Sequence, residues 1–227
     1  MSRSRSLAFA AVALLLAGCG ASPSADNGVA AKSGAQILAA ARSAAERAAT
    51  VHVAGSILSA GKPISLNMEL VADKGGQGRL TQGNLEIELV GLNKAIYVSG
   101  NAAFYEHFAG PGAAERLHGS WLKQASPRGP LQSLAPLTDL RELIDIALAG
   151  HGALSRGQAT RIDGRSAVAV TDLDQGGTLY VAATGIPYPL EITGAGAGSL
   201  VFDGWDEPAS INPPASVVNV DQLQSGR

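Results

Sequence analysis

The most reactive side chain in this sequence is a single cysteine close to its start. Cys19 is the only cysteine among 227 residues, and the small residues Ala17 and Gly18 stand directly before it. A thiolate is a strong nucleophile, and small neighbouring residues let a peptidase close on an extended backbone. These residue types are compatible with chemical modification of the sulfur of Cys19 and with cleavage of the chain beside it.

The residues before Cys19 have the layout of an export signal. Arg3 and Arg5 give a basic start, and Leu7 to Ala17 is an unbroken apolar run of eleven residues. A membrane-spanning helix needs about 20 apolar residues, so this run is too short, whereas the layout matches a secretory signal. The sequence Leu16-Ala17-Gly18-Cys19 resembles the bacterial lipobox, in which the cysteine sulfur receives a diacylglycerol. The alternative is an ordinary signal peptide with an incidental cysteine.

A lipid on Cys19 would hold the protein on the extracytoplasmic face of the cell membrane. Each methylene buried in the membrane contributes about 0.8 kcal/mol to binding, and the methylenes of one acyl chain alone give only marginal binding. Two acyl chains together make a lasting anchor. The predicted organisation is a signal peptide over 1–18, a flexible tether over 19–33 and one domain over 34–227. The tether prediction follows from the Gly, Ala, Ser, Pro and Asn content of residues 20–32.

Charge and composition exclude one class of function and constrain the core. Residues 1–18 contain two arginines and no acidic residue, so the remaining chain has 15 basic against 19 acidic residues, a net charge of −4. Nucleic-acid binding would need a basic patch, and none is visible. Without a second cysteine, an exported domain of this length must rely on its hydrophobic core. Aromatic residues make up 4% of the sequence, so this core should be aliphatic.

Two short motifs resemble a catalytic motif and a phosphate-binding motif, but a structural role explains each of them better. Ser120 and Lys123 fit the Ser-x-x-Lys pattern of penicillin-recognising enzymes, but Gly119 and Pro127 flank them, and the chemistry needs a helix. We predict a strand there instead. The glycine pattern Gly194-x-Gly196-x-Gly198 precedes no helix, so we predict a hairpin rather than a phosphate cradle.

Acidic and histidine side chains do not form a recognisable site either. The carboxylates could in principle ligate a hard cation, but they lack the spacing of a calcium loop, so we expect solvated turn residues. The histidines show neither metal spacing nor a catalytic triad. We therefore predict no enzyme, no cofactor and no metal; the residues considered are Asp172, Asp174, Asp203, Asp206, Glu207, His52, His107, His118 and His151.

Periodicity predicts two helices and a series of strands. Ser33 and Gln36 can form a capping box before a helix over about 34–49, and Asp139 can cap a second helix over 139–149 that Gly150 ends. A shorter helical piece within 101–118 is interrupted by Gly110-Pro111-Gly112. Alternating or extended segments predict strands over 51–54, 64–70, 85–89, 94–99, 154–162, 165–172, 178–183, 190–193 and 199–205, and the last twenty residues should be extended coil.

The order of these elements predicts the fold class. Strands come first, a helical middle follows, and strands return. One solvated and one buried face on each strand indicate antiparallel pairing. We therefore predict an α+β domain with a single curved antiparallel sheet, a half-barrel, and with helices packed on its concave face.

Four local features, taken in order, resemble the LppX/LprA/LprF/LprG family of mycobacterial-type lipoproteins, which share a half-barrel with the LolA and LolB carriers. The first is the lipobox with its tether, and the second is the strand 94–99 followed by Ser120-Trp121. The third is Gly185-Ile-Pro-Tyr-Pro-Leu-Glu-Ile192. The fourth is Phe202-Asp-Gly-Trp205 with the proline-containing exit Ile211-Asn-Pro-Pro214.

The resemblance implies that lipids such as acylated glycolipids or phospholipids bind in a cavity between sheet and helices and are carried across the envelope. The cavity would be lined by the aliphatic side chains of the predicted strands and second helix: Leu66, Met68, Leu70, Leu85, Ile87, Leu89, Leu140, Leu143, Ile144 and Leu148. The same residues would equally suit a filled core, and the sequence does not distinguish the two.

Other functions remain open at this stage. A domain with a closed core could be a non-carrier interaction module of the envelope, or an accessory subunit of a membrane transporter. A surface lipoprotein that binds a signalling partner is a third alternative.

Overall fold

A computed structural model describes residues 25–59, 61–125, 128–194 and 198–221. The signal peptide, Cys19 and the first part of the tether lie outside these residues. The described strands form one sheet in the order β12-β6-β5-β4-β3-β2-β1-β11-β10-β9-β8-β7. Their bounds are β1 Thr50–Ser59, β2 Lys62–Val71, β3 Gly75–Gln82, β4 Leu85–Leu92, β5 Ala95–Gly100, β6 Trp121–Gln124, β7 Leu154–Ile162, β8 Arg165–Asp172, β9 Thr178–Ala182, β10 Pro189–Thr193, β11 Ser199–Asp203 and β12 Val217–Asn219.

Side-chain alternation gives the sheet a dry face and a wet face. On β2, Leu66, Met68 and Leu70 are buried, whereas Asn67 between them is exposed. Neighbouring strands pair antiparallel, except that β12 pairs parallel to β6. The pairing of β1 with β11 joins the two predicted strand groups into one curved, unclosed sheet. The predicted α+β half-barrel is therefore confirmed.

Two helices cover the concave face, and both begin at the predicted caps. In α1 (Gly34–Glu46), the hydroxyl of Ser33 accepts from the amide of Gln36, and the side chain of Gln36 accepts from the amide of Ser33. In α4 (Leu140–Ala147), the carboxylate of Asp139 accepts from the amide of Glu142. Capping satisfies amides that have no partner inside the helix. Ile37, Ala41, Leu143 and Ile144 of these helices are buried against the sheet.

The predicted helical piece in the middle of the chain is two short helices, α2 (Ala102–Ala109) and α3 (Ala113–Leu117), separated at the predicted glycines. A 3-10 helix over Gln132–Thr138 follows β6 and lies on the sheet. It approaches closely because its contact positions on the sheet lack side chains: a Cβ on Gly91 would lie 2.1 Å from the hydroxyl of Thr138.

Strand β3 was not predicted, and its composition explains why. It reads GGQGRLTQ, in which Leu80 is the only aliphatic residue, so no apolar alternation marks it. The sheet has little room at this strand, because a Cβ on Gly78 would lie 2.6 Å from the sulfur of Met68. Strand β12 was also missed, since its three residues were assigned to extended coil.

The second half of the predicted tether is part of the folded domain. Asp26 bridges Thr184, and the side chain of Asn27 donates to the carbonyls of Ala182 and Gly185 at 2.8 and 3.1 Å. Val29 is buried within the core cluster. The boundary predicted at residue 33 is therefore too late, because polar residues that suggested flexibility instead form specific hydrogen bonds to the β9–β10 turn.

The C-terminal segment crosses the outer face of the sheet. The hydroxyl of Thr50 donates to the carbonyl of Glu207, and the side chain of Gln77 donates to the carbonyl of Ser210. The segment then reaches β6, where the amide of Trp121 donates to the carbonyl of Ser216 and β12 begins. It thereby connects β1, β3 and β6 from outside.

Replacing Asn27 with alanine should destabilise the domain by about 1–3 kcal/mol, because two carbonyls lose their side-chain donor and the amide of Val29 loses its acceptor. Urea unfolding of residues 25–227 measures the change. Asn84→Ala is the matched control, since Asn84 is an exposed turn residue whose backbone carbonyl, rather than its side chain, accepts a hydrogen bond. Equal effects of the two substitutions would contradict the packing of the N-terminal segment.

Candidate functional site

An apolar pocket opens at one end of the half-barrel. It lies where β7 begins, β8 ends, β9 begins and β10 ends, below the end of α4 and beside the first turns of α1. Its volume is about 180 Å³. It is lined by Leu38, Ala147, Leu148, Ala149, Gly150, His151, Leu154, Val170, Asp172, Gln175, Gly176, Gly177, Thr178, Leu179, Ile192, Thr193 and Gly194.

The floor of the pocket is aliphatic. Leu38 of α1, Leu148 after α4, and Val170 of β8 are buried, and Leu179 of β9 joins them from the sheet. Ile192 of β10 is half-buried and packs against the same cluster. Such a surface offers hydrocarbon contacts and few hydrogen-bonding groups, which is the character of sites for apolar ligands.

The mouth of the pocket is polar and rich in glycine. His151, Gln175 and Gly194 are exposed there. Gly176 and Gly177 have φ of 74° and 91°, a conformation that side chains rarely adopt, so the chain turns tightly without covering the opening. No lysine or arginine lines the pocket among the described residues.

Asp172 organises one side of the mouth. Its carboxylate accepts from the amides of Gly152, Asp174 and Gln175 at 3.1, 2.9 and 3.1 Å. These donors, that of Gln175 first and that of Asp174 next, hold the pKa of the carboxyl below its ordinary value. The turn is therefore stabilised above the ordinary aspartate pKa of 3.8, and this contribution is lost as the pH falls through the lower pKa of the folded state.

The other side of the mouth is the end of α4, which is fixed to α1. The guanidinium of Arg42 donates to the carboxylate of Asp145 at 2.7 Å and to the carbonyl of Leu148 at 3.0 Å. The side chain of Gln175 donates to the carbonyl of Gly150. These bonds join the end of α4 to α1 and to the turn that follows β8. They therefore fix the two sides of the mouth relative to each other.

Two aliphatic side chains stand in solvent next to this mouth. Ile146, one residue before the lining residue Ala147, is 59% exposed, and Leu173, next to Asp172, is 65% exposed. They are the two most exposed large aliphatic side chains of the described residues.

Most of the predicted cavity-lining residues lie outside this pocket. Of them, Leu148 lines the pocket. Leu85 is half-buried, and the others are buried in the main core cluster: Leu66, Met68, Leu70, Ile87, Leu89, Leu140, Leu143 and Ile144.

Sequence reasoning missed most of the pocket. Leu154, Val170, Leu179 and Ile192 lie in predicted strands, but the pairing that brings these strands under α1 was not predicted. Leu38 follows the buried Ile37 in α1 and was not singled out. The sequence signal that could have located the pocket was the set of apolar residues nearest the turns of the second strand group.

Three larger surface clefts have more charged residues in their linings. One of about 640 Å³ lies at the opposite end, beside Lys74, Lys94, Asp139 and Glu142. Two others, of about 440 and 610 Å³, lie where the C-terminal segment crosses the outer face. Their charged linings suit apolar ligands less well than the aliphatic floor does.

Several of the other candidate residues have structural partners. Lys123 lies in strand β6 and its ammonium stands 5.6 Å from the ring centre of Tyr97, so the Ser-x-x-Lys pattern is not on a helix. Asp203 accepts from the ring of His52, and Asp206 accepts from the amide of Ala49. Within the described residues, no group of three or more histidine, cysteine, aspartate or glutamate side chains could hold a metal ion.

Neither a protein-family model nor a curated protein matches this sequence. Solved structures resemble its fold. LprF from Mycobacterium bovis matches with a TM-score of 0.55 at 15% identity, over 80% of this chain and 97% of LprF. The Mycobacterium tuberculosis lipoprotein LppX matches with a TM-score of 0.50 at 19% identity, over 78% of this chain and 99% of LppX.

These likenesses concern the fold. The half-barrel implied by the resemblance to LprF and LppX is confirmed over about four fifths of the chain. In the described part of the chain, no helix is long and apolar enough to cross a membrane.

Two substitutions of Asp172 should remove different numbers of its three hydrogen bonds. In Asp172→Asn, the amide oxygen can still accept from Asp174 and Gln175, but the amide nitrogen cannot accept from Gly152. We expect hydrogen exchange at the amide of Gly152 to accelerate about tenfold, with little change at the other two amides. Asp172→Ala should accelerate all three. Exchange measured by NMR tests this, and equal rates in all three proteins would contradict the assigned role of the carboxylate.

Proposed function

We propose that this protein is a membrane-anchored lipoprotein that binds an acyl chain of a lipid in the pocket at the end of its half-barrel. The observation that carries the proposal is an opening with an aliphatic floor between the sheet and the covering helices. The shared fold with LprF and the lipoprotein LppX supports it.

The size of the pocket limits what enters it. Ligand sites usually occupy about 300–1,000 Å³, and this one has about 180 Å³, so it takes the end of one acyl chain. Each methylene removed from water contributes about 0.8 kcal/mol. A longer chain would reach further only if α4 moved away from the sheet. The inner residues Leu140, Leu143 and Ile144 of α4, with the predicted β2 and β4 residues opposite, would then line the enlarged site.

The mouth favours a lipid with a neutral, hydroxyl-bearing headgroup. His151 and Gln175 offer hydrogen bonds there, and Asp172 adds negative charge. Because no lysine or arginine lines the opening among the described residues, a phosphate would lack a permanent counter-charge. An acylated glycolipid fits this chemistry better than an anionic phospholipid.

Anchoring is the second part of the proposal. We infer that Cys19 receives a diacylglycerol after export, and that residues 1–18 are removed. The domain would then remain on the extracytoplasmic face of the cell membrane and bind or carry lipid there. Nothing in this role requires a catalytic step.

The alternative is an interaction module of the envelope, for example an accessory subunit of a transporter. The burial of most of the predicted cavity-lining residues in the main core cluster favours it. A domain of that kind would take up no lipid and would co-purify with a membrane protein.

Filling the pocket should abolish lipid binding without unfolding the domain. We expect residues 25–227, freed of lipid and incubated with an acylated glycolipid, to show a one-to-one complex by native mass spectrometry. Ile192→Trp should reduce the bound fraction at least tenfold, because the larger ring occupies the space between β10 and α4.

The matched control is Ile162→Trp, which places the same ring at a half-buried isoleucine of β7 that packs in a separate small cluster. It should bind lipid like the unmodified domain. Thermal unfolding verifies that both variants fold. If the folded, lipid-free domain takes up no lipid, the carrier role is wrong and the interaction module is favoured.

Lipidation is tested separately on the full chain expressed in a bacterial host. The mature protein should begin at Cys19, carry the mass of attached acyl chains, and fractionate with membranes. In Cys19→Ser, the modification cannot form, so we expect the added mass to vanish and membrane association to be lost. An unmodified Cys19 in membrane-bound protein would refute the anchor.

A further inference from the structure

The folded domain holds the end of its own tether at a defined place. The amide of Asn27 donates to the carbonyl of Ala183, and the amide of Gly185 donates to the carbonyl of Ala25. With the side-chain bonds of Asn27, these contacts fix Ala25 at the turn between β9 and β10. Ile186 in that turn is 53% exposed.

The pocket mouth lies at the other end of the same strand. β9 begins at Thr178, which lines the pocket, and runs toward Thr184, which bridges Asp26. Six residues of extended strand span about 20 Å. The anchor attachment and the mouth therefore stand at opposite ends of the half-barrel.

Only residues 20–24 separate Cys19 from the fixed residue Ala25. A connection of this length reaches at most about 22 Å. The β9–β10 turn therefore stays within about 22 Å of the bilayer, and the mouth lies about 20 Å farther along the strand. To bring the mouth onto the same bilayer, the domain would have to invert with its connection almost fully stretched, which sacrifices most of its conformational entropy.

We propose that the β9–β10 turn is the surface that lies against the lipid headgroups, and that the pocket mouth faces away from the anchoring bilayer. This rests on the proposed anchor at Cys19. Ile186 is then the aliphatic side chain turned toward the membrane, whereas Ile146 and Leu173 at the mouth face outward. Lipid exchange accordingly takes place on the outward side of the domain, with the short connection setting the orientation.

Fluorescence quenching on the lipidated full chain tests this orientation. Cys19 is the sole cysteine, and its sulfur is blocked once lipidated, so Ile186→Cys or Leu173→Cys supplies a single thiol for an environment-sensitive dye. The chains are reconstituted in phosphatidylcholine–phosphatidylglycerol vesicles that contain a headgroup-level spin-labelled lipid. We expect quenching at position 186 to exceed quenching at position 173 at least threefold.

Insertion of ten Gly-Ser residues between Ala21 and Ser22 should bring the two quenching values closer together, because the domain can then turn over. Equal quenching at both positions in the original chain, or stronger quenching at 173, would overturn the proposal. A difference that survives the insertion unchanged would overturn the role of the short connection. Lipid uptake by the soluble domain, measured by native mass spectrometry, does not depend on orientation, so failure here is distinguishable from failure of the carrier role.

Discussion

The pairing of β1 with β11 is the contact on which the rest of this architecture depends. It joins residues about 150 positions apart, with His52 opposite Asp203 and Gly55 opposite Leu200. Two glycines make the approach possible. A Cβ on Gly55 would lie 2.0 Å from the carbonyl oxygen of Ser199, and one on Gly198 would lie 2.3 Å from that of Ser56. Without this contact, the chain would form two separate antiparallel meanders, each with an uncovered apolar face.

The same pairing determines where space remains inside the half-barrel. Because this pairing places β7 to β10 against α1, the ends of these strands lie near the end of α4 rather than near its middle. Leu140, Leu143 and Ile144 of α4 are buried in the core cluster, whereas the helix ends at Ala147 and a loop with Gly150 follows. The pocket accordingly lies at the margin of the half-barrel, where glycine-containing turns meet, and it is small and open.

Sequence reasoning predicted the elements better than their contacts. Capping at Ser33 and Asp139 and the alternation on β2 are local signals, and the structure confirms each of them. Strand β3 lacked a signal because glycine and polar residues fill it. The position of the pocket depends on a strand pairing across most of the chain, which no local pattern encodes. The prediction that residues 25–32 belong to the tether was wrong for another reason. Asn27 is as typical of a specific turn as of a flexible linker.

An open sheet has two edges, and unpaired strand edges are sites where proteins aggregate. Here each described edge differs from a long flat strand. At one end, the three residues of β12 pair parallel to β6 and shorten the exposed margin. At the other, β7 has an irregular register between Arg156 and Ala159, and Arg156 and Arg161 lie along it. The proposed anchor at Cys19 would confine the domain to a surface, where copies meet far more often than in three dimensions. Edges that resist strand exchange would then let many copies lie close together without polymerising.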